Sequence, residues 1–434
     1  MGFMKKVLII TYYWPPSGGA GVQRWLKFVK YLREFGWEPI VYTPENPEAP
    51  AIDNSLQKDV PKNITILKTK IWEPYNLYKS FIGQKKSDKI NAGFLSEKKK
   101  PGLAEKISVW IRGNWFIPDA RKFWIKPSVN FLSDYLKKNQ VDAIVSTGPP
   151  HSMHLIALGI KKKLNIPWLA DFRDPWTNID FYDKLKLSKS SDAKHKKLEL
   201  EVLKNADKVV AVSWHWAKDF QKIHNREVEV ITNGFDEDDF HFEDMKPDEK
   251  FSISHIGAMN KDRNPHQFWK ALSELLNENP VLKNDLKIRL IGKNDITVIQ
   301  SIEENNLSEF TETISYLPHN EVLKQICTSQ LLLLPLNDTP NILGIIPGKI
   351  FEYLAARRPV FTIGNPEGDS ARIIRETNAG ITCDFNEKEK MKTELNRFYE
   401  LYKNKNLKVS SSDFAKHSRK TKTAEMAAVL SSLC

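Results

Sequence analysis

Cysteine is scarce in this chain: Cys327, Cys383 and Cys434 are the only three in 434 residues. They are odd in number, far apart and never spaced Cys-x-x-Cys, which argues against a disulfide framework or a thiolate metal or redox site. A reducing compartment is the expected setting. Long apolar runs are missing too. Val7 to Tyr13 follows Lys5 and Lys6 but stops at Pro15-Pro16, too short for a signal-peptide core and far below the roughly 20 residues of a membrane span. The expected location is cytoplasmic, with a peripheral place on the inner face of the plasma membrane left open. There is no internal repeat and no low-complexity tract. With 41% hydrophobic and 27% charged residues, the composition is globular rather than disordered.

Acidic side chains are the minority, 54 against 65 Lys and Arg, a formal charge of +11. That excess favours anionic ligands: phosphates, acidic polymers or an anionic membrane surface. A nucleic-acid binder is the weakest of these, because the charge is spread along the chain and no recognition motif accompanies it.

The length exceeds what one core usually supports, so two α/β domains are expected. Lys5 to Tyr13 reads as a buried strand and Gly21 to Phe35 as a helix, with Val22, Trp25, Leu26, Val29 and Leu32 at helical spacing and Gly36 closing it. A strand at Pro39 to Tyr42 completes a βαβ unit. Further strands are expected at Val141 to Ser146, Pro167 to Ala170 and Lys208 to Val212. A second series follows at Phe251 to Ile256, Lys287 to Ile291, Leu331 to Leu334 and Pro359 to Ile363. Strands alternating with helices give parallel sheets, here two Rossmann-like domains. The expected division is 1–235, an acidic hinge at 236–250, a second domain at 251–410 and a final helix region at 411–434. A basic and aromatic insertion lies near 84–126. There Lys85, Lys86, Lys89, Lys98, Lys99, Lys100 and Lys106 precede Trp110, Ile111, Trp115, Phe116, Phe123 and Trp124, a composition suited to a membrane interface or to a loop on the domain's own core.

The residues that could do chemistry follow strands. Gly18, Gly19 and Gly21 let backbone approach a ligand, but Arg24 stands where a dinucleotide fingerprint needs its third Gly, which argues against a redox cofactor. His151 follows one strand; Asp171, Arg173 and Asp174 follow the next, offering a proton acceptor and donors for sugar hydroxyls. Capping and internal ion pairing are the plain alternatives. In the second half Gly257 and Arg263 follow a strand, and Arg263 could hold a diphosphate bidentately. Gly348, Lys349 and Glu352 open a helix, where backbone N–H groups and Lys349 attract phosphate and Glu352 could accept from ribose hydroxyls. Asp236-Glu237-Asp238 has the look of a metal-binding Asp-x-Asp but sits in the linker, so no metal is assigned to it.

Four segments in this order and spacing, Pro15 to Gly21, Asn233 to Asp236, Gly257 to Arg263 and Pro347 to Pro359, resemble those of the family 4 glycosyltransferases with the GT-B fold, of the bacterial surface polysaccharide type. The resemblance covers most of the chain. It implies a donor nucleotide-sugar on the C-terminal domain, an acceptor on the N-terminal domain across a central cleft, and a C-terminal helix crossing back. Gly19 and Gly21 would line the cleft, Arg263 would bind donor phosphate where members carry lysine, and Glu352 would bind ribose. Arg173, or its neighbours Asp171 and Asp174, would occupy the place where many members have an active-site histidine. Two departures stand out: Gly344 replaces the first Glu of the usual Glu-x7-Glu pair, and Ala258 replaces a phosphate-binding Arg, for which Lys349 could compensate.

The expectation is a metal-independent, retaining glycosyltransferase without cofactor, acting on a glycan or lipid-linked acceptor in lipopolysaccharide, capsule or similar biosynthesis. A sugar-nucleotide 2-epimerase and a non-catalytic nucleotide-sugar or glycan-binding protein are the alternatives.

Overall fold

The computed structural model describes residues 4–49, 51–74, 103–240, 245–315, 317–409 and 413–434. The lysines of the basic stretch from Lys85 to Lys100 lie outside the described residues. Contacts separate the chain into two compact units, Met1–Thr232 with Lys420–Cys434, and Asn233–Arg419. The packing thus changes unit at 232 and 419, where the sequence pattern suggested 235 and 411. Asp248, in the expected hinge, pairs with Arg289 at 2.7 Å within the second unit.

The first unit holds strands β1 (Lys5–Ile10), β2 (Trp37–Pro44), β3 (Thr65–Thr69), β4 (Ala143–Gly148), β5 (Trp168–Phe172), β6 (Lys208–Ala211) and β7 (Glu229–Val230). Its helices are α1 (Ala20–Tyr31), α2 (Leu103–Trp115), α3 (Lys122–Lys138), α4 (Ser152–Leu164), α5 (Lys189–Asn205) and α6 (Trp214–Ile223). Among the described residues the sheet order is β3-β2-β1-β4-β5-β6-β7, and every pairing is parallel. Strands covered on both faces must be apolar throughout, and Val7, Leu8, Ile9 and Ile10 are all fully buried. Helix α1 lays Val22, Trp25, Leu26 and Val29 on that core. A short 3-10 turn, Leu32–Phe35, then ends at Gly36, whose φ of 79° suits a left-handed cap.

The second unit holds β8 (Phe251–Ile256), β9 (Leu286–Ile291), β10 (Thr311–Ile314), β11 (Leu331–Pro335), β12 (Val360–Ile363) and β13 (Gly380–Cys383). With them come α7 (His266–Glu278), α8 (Leu282–Asp285), α9 (Ile296–Glu304), α10 (His319–Thr328), α11 (Lys349–Ala355), α12 (Asp369–Glu376) and α13 (Lys388–Lys403). The order is β10-β9-β8-β11-β12-β13, again parallel. Both units are therefore Rossmann-like. In each, chain direction across the sheet reverses beside the first strand, at β1/β4 and at β8/β11. Ligands of such sheets bind at the carboxyl ends of those strands, and the sequence-predicted groups lie at the end of β5 or on the loops and helices that follow β1, β4, β5, β8 and β11.

Helix α14 (Arg419–Ser431) ends the fold. Met426, Ala427 and Leu430 join the core of the first unit, and Lys420 pairs with Glu34 at 2.6 Å. The sequence pattern misses β3, β7, β10 and β13, which are the four outer strands of the two sheets. An edge strand has one neighbour and one open side, so polar residues are tolerated and the apolar run disappears. Thr65-Ile66-Leu67-Lys68-Thr69 and Thr311-Glu312-Thr313-Ile314 show this.

Candidate active site

In the first unit Asp171, near the end of β5, is fully buried. Its carboxylate accepts from Arg24 Nη2 at 2.8 Å, Arg24 Nε at 3.1 Å, Trp25 Nε1 at 2.7 Å and Thr147 Oγ1 at 2.9 Å. Burial opposes the charge, but Arg24 and these donors more than offset it and hold the carboxyl below its ordinary value. With its oxygens committed, Asp171 is an anchor, and the sequence-based candidacy for chemistry gives way to a positioning role. Its partner Arg24, overlooked as a site residue, is the same residue that breaks the glycine fingerprint. Its remaining donors reach the carbonyls of Ile231 and Thr232 at 2.9 and 3.0 Å.

Arg173 is also a clamp. It donates to the carbonyl of Gly21 at 2.6 Å and to that of Pro149, joining the loops after β1 and β4. Gly21 is needed there because a Cβ would meet the Tyr13 ring at 2.8 Å. Gly18 is buried and its N–H is taken by Ala51 O at 2.8 Å, whereas Gly19 is exposed with a φ of 94°. His151 stacks face to face on Trp176, ring centroids 4.5 Å apart. Its Nδ1 is buried without a hydrogen bond, and burial, with His154 nearby, holds the imidazole well below its ordinary pKa. Trp176 in turn donates to His195 Nδ1 at 3.1 Å.

Asp174 differs from all of these. It is half-buried, and no described side chain or backbone group hydrogen-bonds or ion-pairs with its carboxylate. Burial pushes it up to about 6, against the pull of Arg173 and with repulsion from Asp180. Of the four first-unit candidates it alone is an uncommitted acid-base group poised near neutrality.

In the second unit β8 ends at Ile256, whose N–H goes to the Tyr353 hydroxyl at 3.2 Å where β8 parts from β11. That bond staples α11 to the strand end, with Lys349 beside Gly257 and Glu352 one turn further along the helix. The Lys349 amine packs so closely that a Cβ on Gly257 would overlap it, and Gly257 has a φ of +104°. Lys349 is half-buried; burial, then repulsion from Arg263, pushes its amine down to about 7. Arg263 itself donates to Ala258 O at 3.2 Å. Glu352, one turn on, is raised by burial against the pull of His319 and Lys349. Neither Lys349 nor Glu352 has a hydrogen-bond or ion-pair partner among the described residues. His255 bonds Leu333 O through Nδ1 at 3.1 Å, and burial with Lys349 holds the imidazole well below its ordinary pKa. Gly348 is exposed at the start of α11. The second unit thus gathers Gly257, Arg263, Gly348, Lys349 and Glu352, with Tyr353 as an unforeseen support.

Residues 94–239 match the family described as Glycosyltransferase Family 4, and residues 236–416 match Glycosyl transferases group 1. Both matched stretches are glycosyltransferase domains. No curated protein matches the chain. Among solved structures, a glycosyltransferase from Rickettsia africae is 14% identical over 99% of this chain and 98% of its own, with a TM-score of 0.62. Alr3699/HepE of Anabaena, solved in complex with UDP-glucose, is 14% identical over 99% and 100%, TM-score 0.61. WaaG, a glycosyltransferase involved in lipopolysaccharide biosynthesis, is 13% identical over 98% and 99%, TM-score 0.56. These likenesses establish the GT-B fold for this chain. No described helix is long and apolar enough to cross a membrane.

Proposed function

We propose that the chain transfers a sugar from a nucleotide-sugar to a glycan or lipid-linked acceptor, with retention and without a metal, in bacterial surface polysaccharide synthesis at the inner face of the membrane. The observation that carries this reading is the pair Lys349 and Glu352: a cation and a carboxylate one turn apart, half-buried, without partners of their own. Leaving ionisable groups so is costly unless a ligand completes them. A diphosphate would satisfy Lys349 and Arg263, and ribose hydroxyls would satisfy Glu352. The glycosyltransferase matches and the UDP-glucose held by the Anabaena protein support such a donor.

In the reaction the bond from the sugar's anomeric carbon to the diphosphate oxygen breaks, and one from that carbon to an acceptor oxygen forms on the same face. Lys349 and Arg263 neutralise the charge that gathers on the leaving diphosphate. Within the first unit, Asp174 is the group suited to take a proton from an acceptor hydroxyl, its carboxyl being pushed up to about 6. Asp171, Arg173 and His151 hold the loops that present it.

The test is thermal stabilisation by UDP-, GDP-, ADP- and dTDP-sugars, on wild type beside Lys349→Ala and Glu352→Ala. A donor at about 100 times its Kd adds roughly 2.7 kcal/mol, and that gain is expected for one nucleotide class and lost in both variants. No response to any donor would sink the reading. Conversion of the donor sugar with no acceptor present would instead favour the 2-epimerase.

A further inference from the structure

From Lys68, near the end of the edge strand β3, exposure alternates as far as Trp72. Lys68, Lys70 and Trp72 face outward while Ile71 is buried, so two ammonium groups and an indole stand in one row. Trp72 meets Phe123, at the start of α3, with ring centroids 4.9 Å apart, and Phe123 meets Phe116 at 6.2 Å. The Lys122 amine lies over both phenyl rings, 5.3 and 5.0 Å from their centroids, and donates to the carbonyl of Trp115. Trp72 is 56% exposed, Trp115 66% and Phe123 44%, far more open than such rings usually are in a folded chain. Lys126 is exposed on the following turn of α3.

The scaffold below does not depend on these rings. Trp124 stacks on Tyr42 at 4.9 Å and donates to Thr69 Oγ1 at 2.9 Å, fixing α3 on β3. Lysines on an edge strand are explained by blocking strand pairing, but that leaves Trp72, at the end of the same row, and the rings beside it without a purpose. Aromatic rings flanked by flexible cations suit the headgroup layer of an anionic bilayer, where rings sit at the boundary and ammonium groups reach phosphate.

We propose that Trp72, Trp115 and Phe123, flanked by Lys68, Lys70 and Lys126, form a docking face for an anionic lipid surface. It rests on the reading above in one respect, that a lipid-linked acceptor gives the docking its use. The sedimentation of the full chain with phosphatidylglycerol-containing vesicles, against phosphatidylcholine alone, tests it. Wild type is expected to bind the anionic vesicles and to be released only in part by salt. Lys68→Glu with Lys70→Glu should lower that binding about tenfold or more, and Trp72→Ser with Phe123→Ser should abolish what persists at high salt. Unchanged melting and donor stabilisation in the same variants show that the fold and the donor site are intact, so failure of docking and failure of the transferase reading are read separately. The proposal is overturned if wild type ignores anionic vesicles, if the variants bind as wild type does, or if the face instead drives self-association or takes soluble oligosaccharide without affinity for lipid.

Discussion

The Lys349 amine lies against the Cα of Gly257, so that a side chain at 257 and the amine cannot share the space. One residue's lack of a Cβ thereby decides where the other's charge is held.

Gly257→Ala should therefore damage donor binding as much as Lys349→Ala does. It also places a Cβ at a φ of +104°, a strain of about 1–3 kcal/mol. Removing the Lys349 charge should cost about 1.5–3 kcal/mol of donor binding, the range for hydrogen bonds to charged groups. Titration calorimetry on both variants checks this, and normal affinity in Gly257→Ala would remove the link.

Donor binding should take up protons. Burial holds the free Lys349 amine down to about 7, and a diphosphate beside it raises that value by favouring the charged form. At pH 8 the protein should draw a proton from buffer on binding, and affinity should fall as pH rises above about 7. Calorimetry in buffers of different ionisation enthalpy measures the uptake directly; none at pH 8 would contradict the role of Lys349.

The two aspartates should separate cleanly. Asp171→Asn leaves buried Arg24 without its carboxylate and should cost about 3–5 kcal/mol of stability. Asp174→Asn should leave the fold intact and reduce turnover by about 10²–10⁴. Denaturant melts beside transfer assays distinguish the two, and wild-type turnover in Asp174→Asn would remove it from the mechanism.

Asp174 also predicts a pH trend in stability. Its folded value is raised to about 6, so the folded state binds the proton more tightly than the unfolded chain. Its contribution is fully present below the unfolded carboxyl value of about 4 and is lost as pH rises through about 6. Asp174→Asn should therefore gain stability relative to wild type between pH 4 and 6, with no further gain above. Melting curves across that interval read the difference.

Much of the architecture was legible before any coordinates. The inner strands, buried on both faces, must be written as apolar runs, and α1 shows its buried stripe at helical spacing; the loops after those strands then point to the ligand groups. The glycosyltransferase segments were likewise visible as ordered local motifs. The outer strands were not, because a strand with one neighbour needs no apolar run. Nor could sequence sort its own candidates. Asp171 and Asp174 stand three positions apart with similar neighbours, yet Arg24, Trp25 and Thr147, brought from distant segments, commit one of them and leave the other open. Lys349 likewise reads as an ordinary lysine until folding buries it against Gly257 and near Arg263. Local sequence carries hydrophobic period and turn chemistry; charge state depends on desolvation and on partners far along the chain, and only the tertiary structure supplies both.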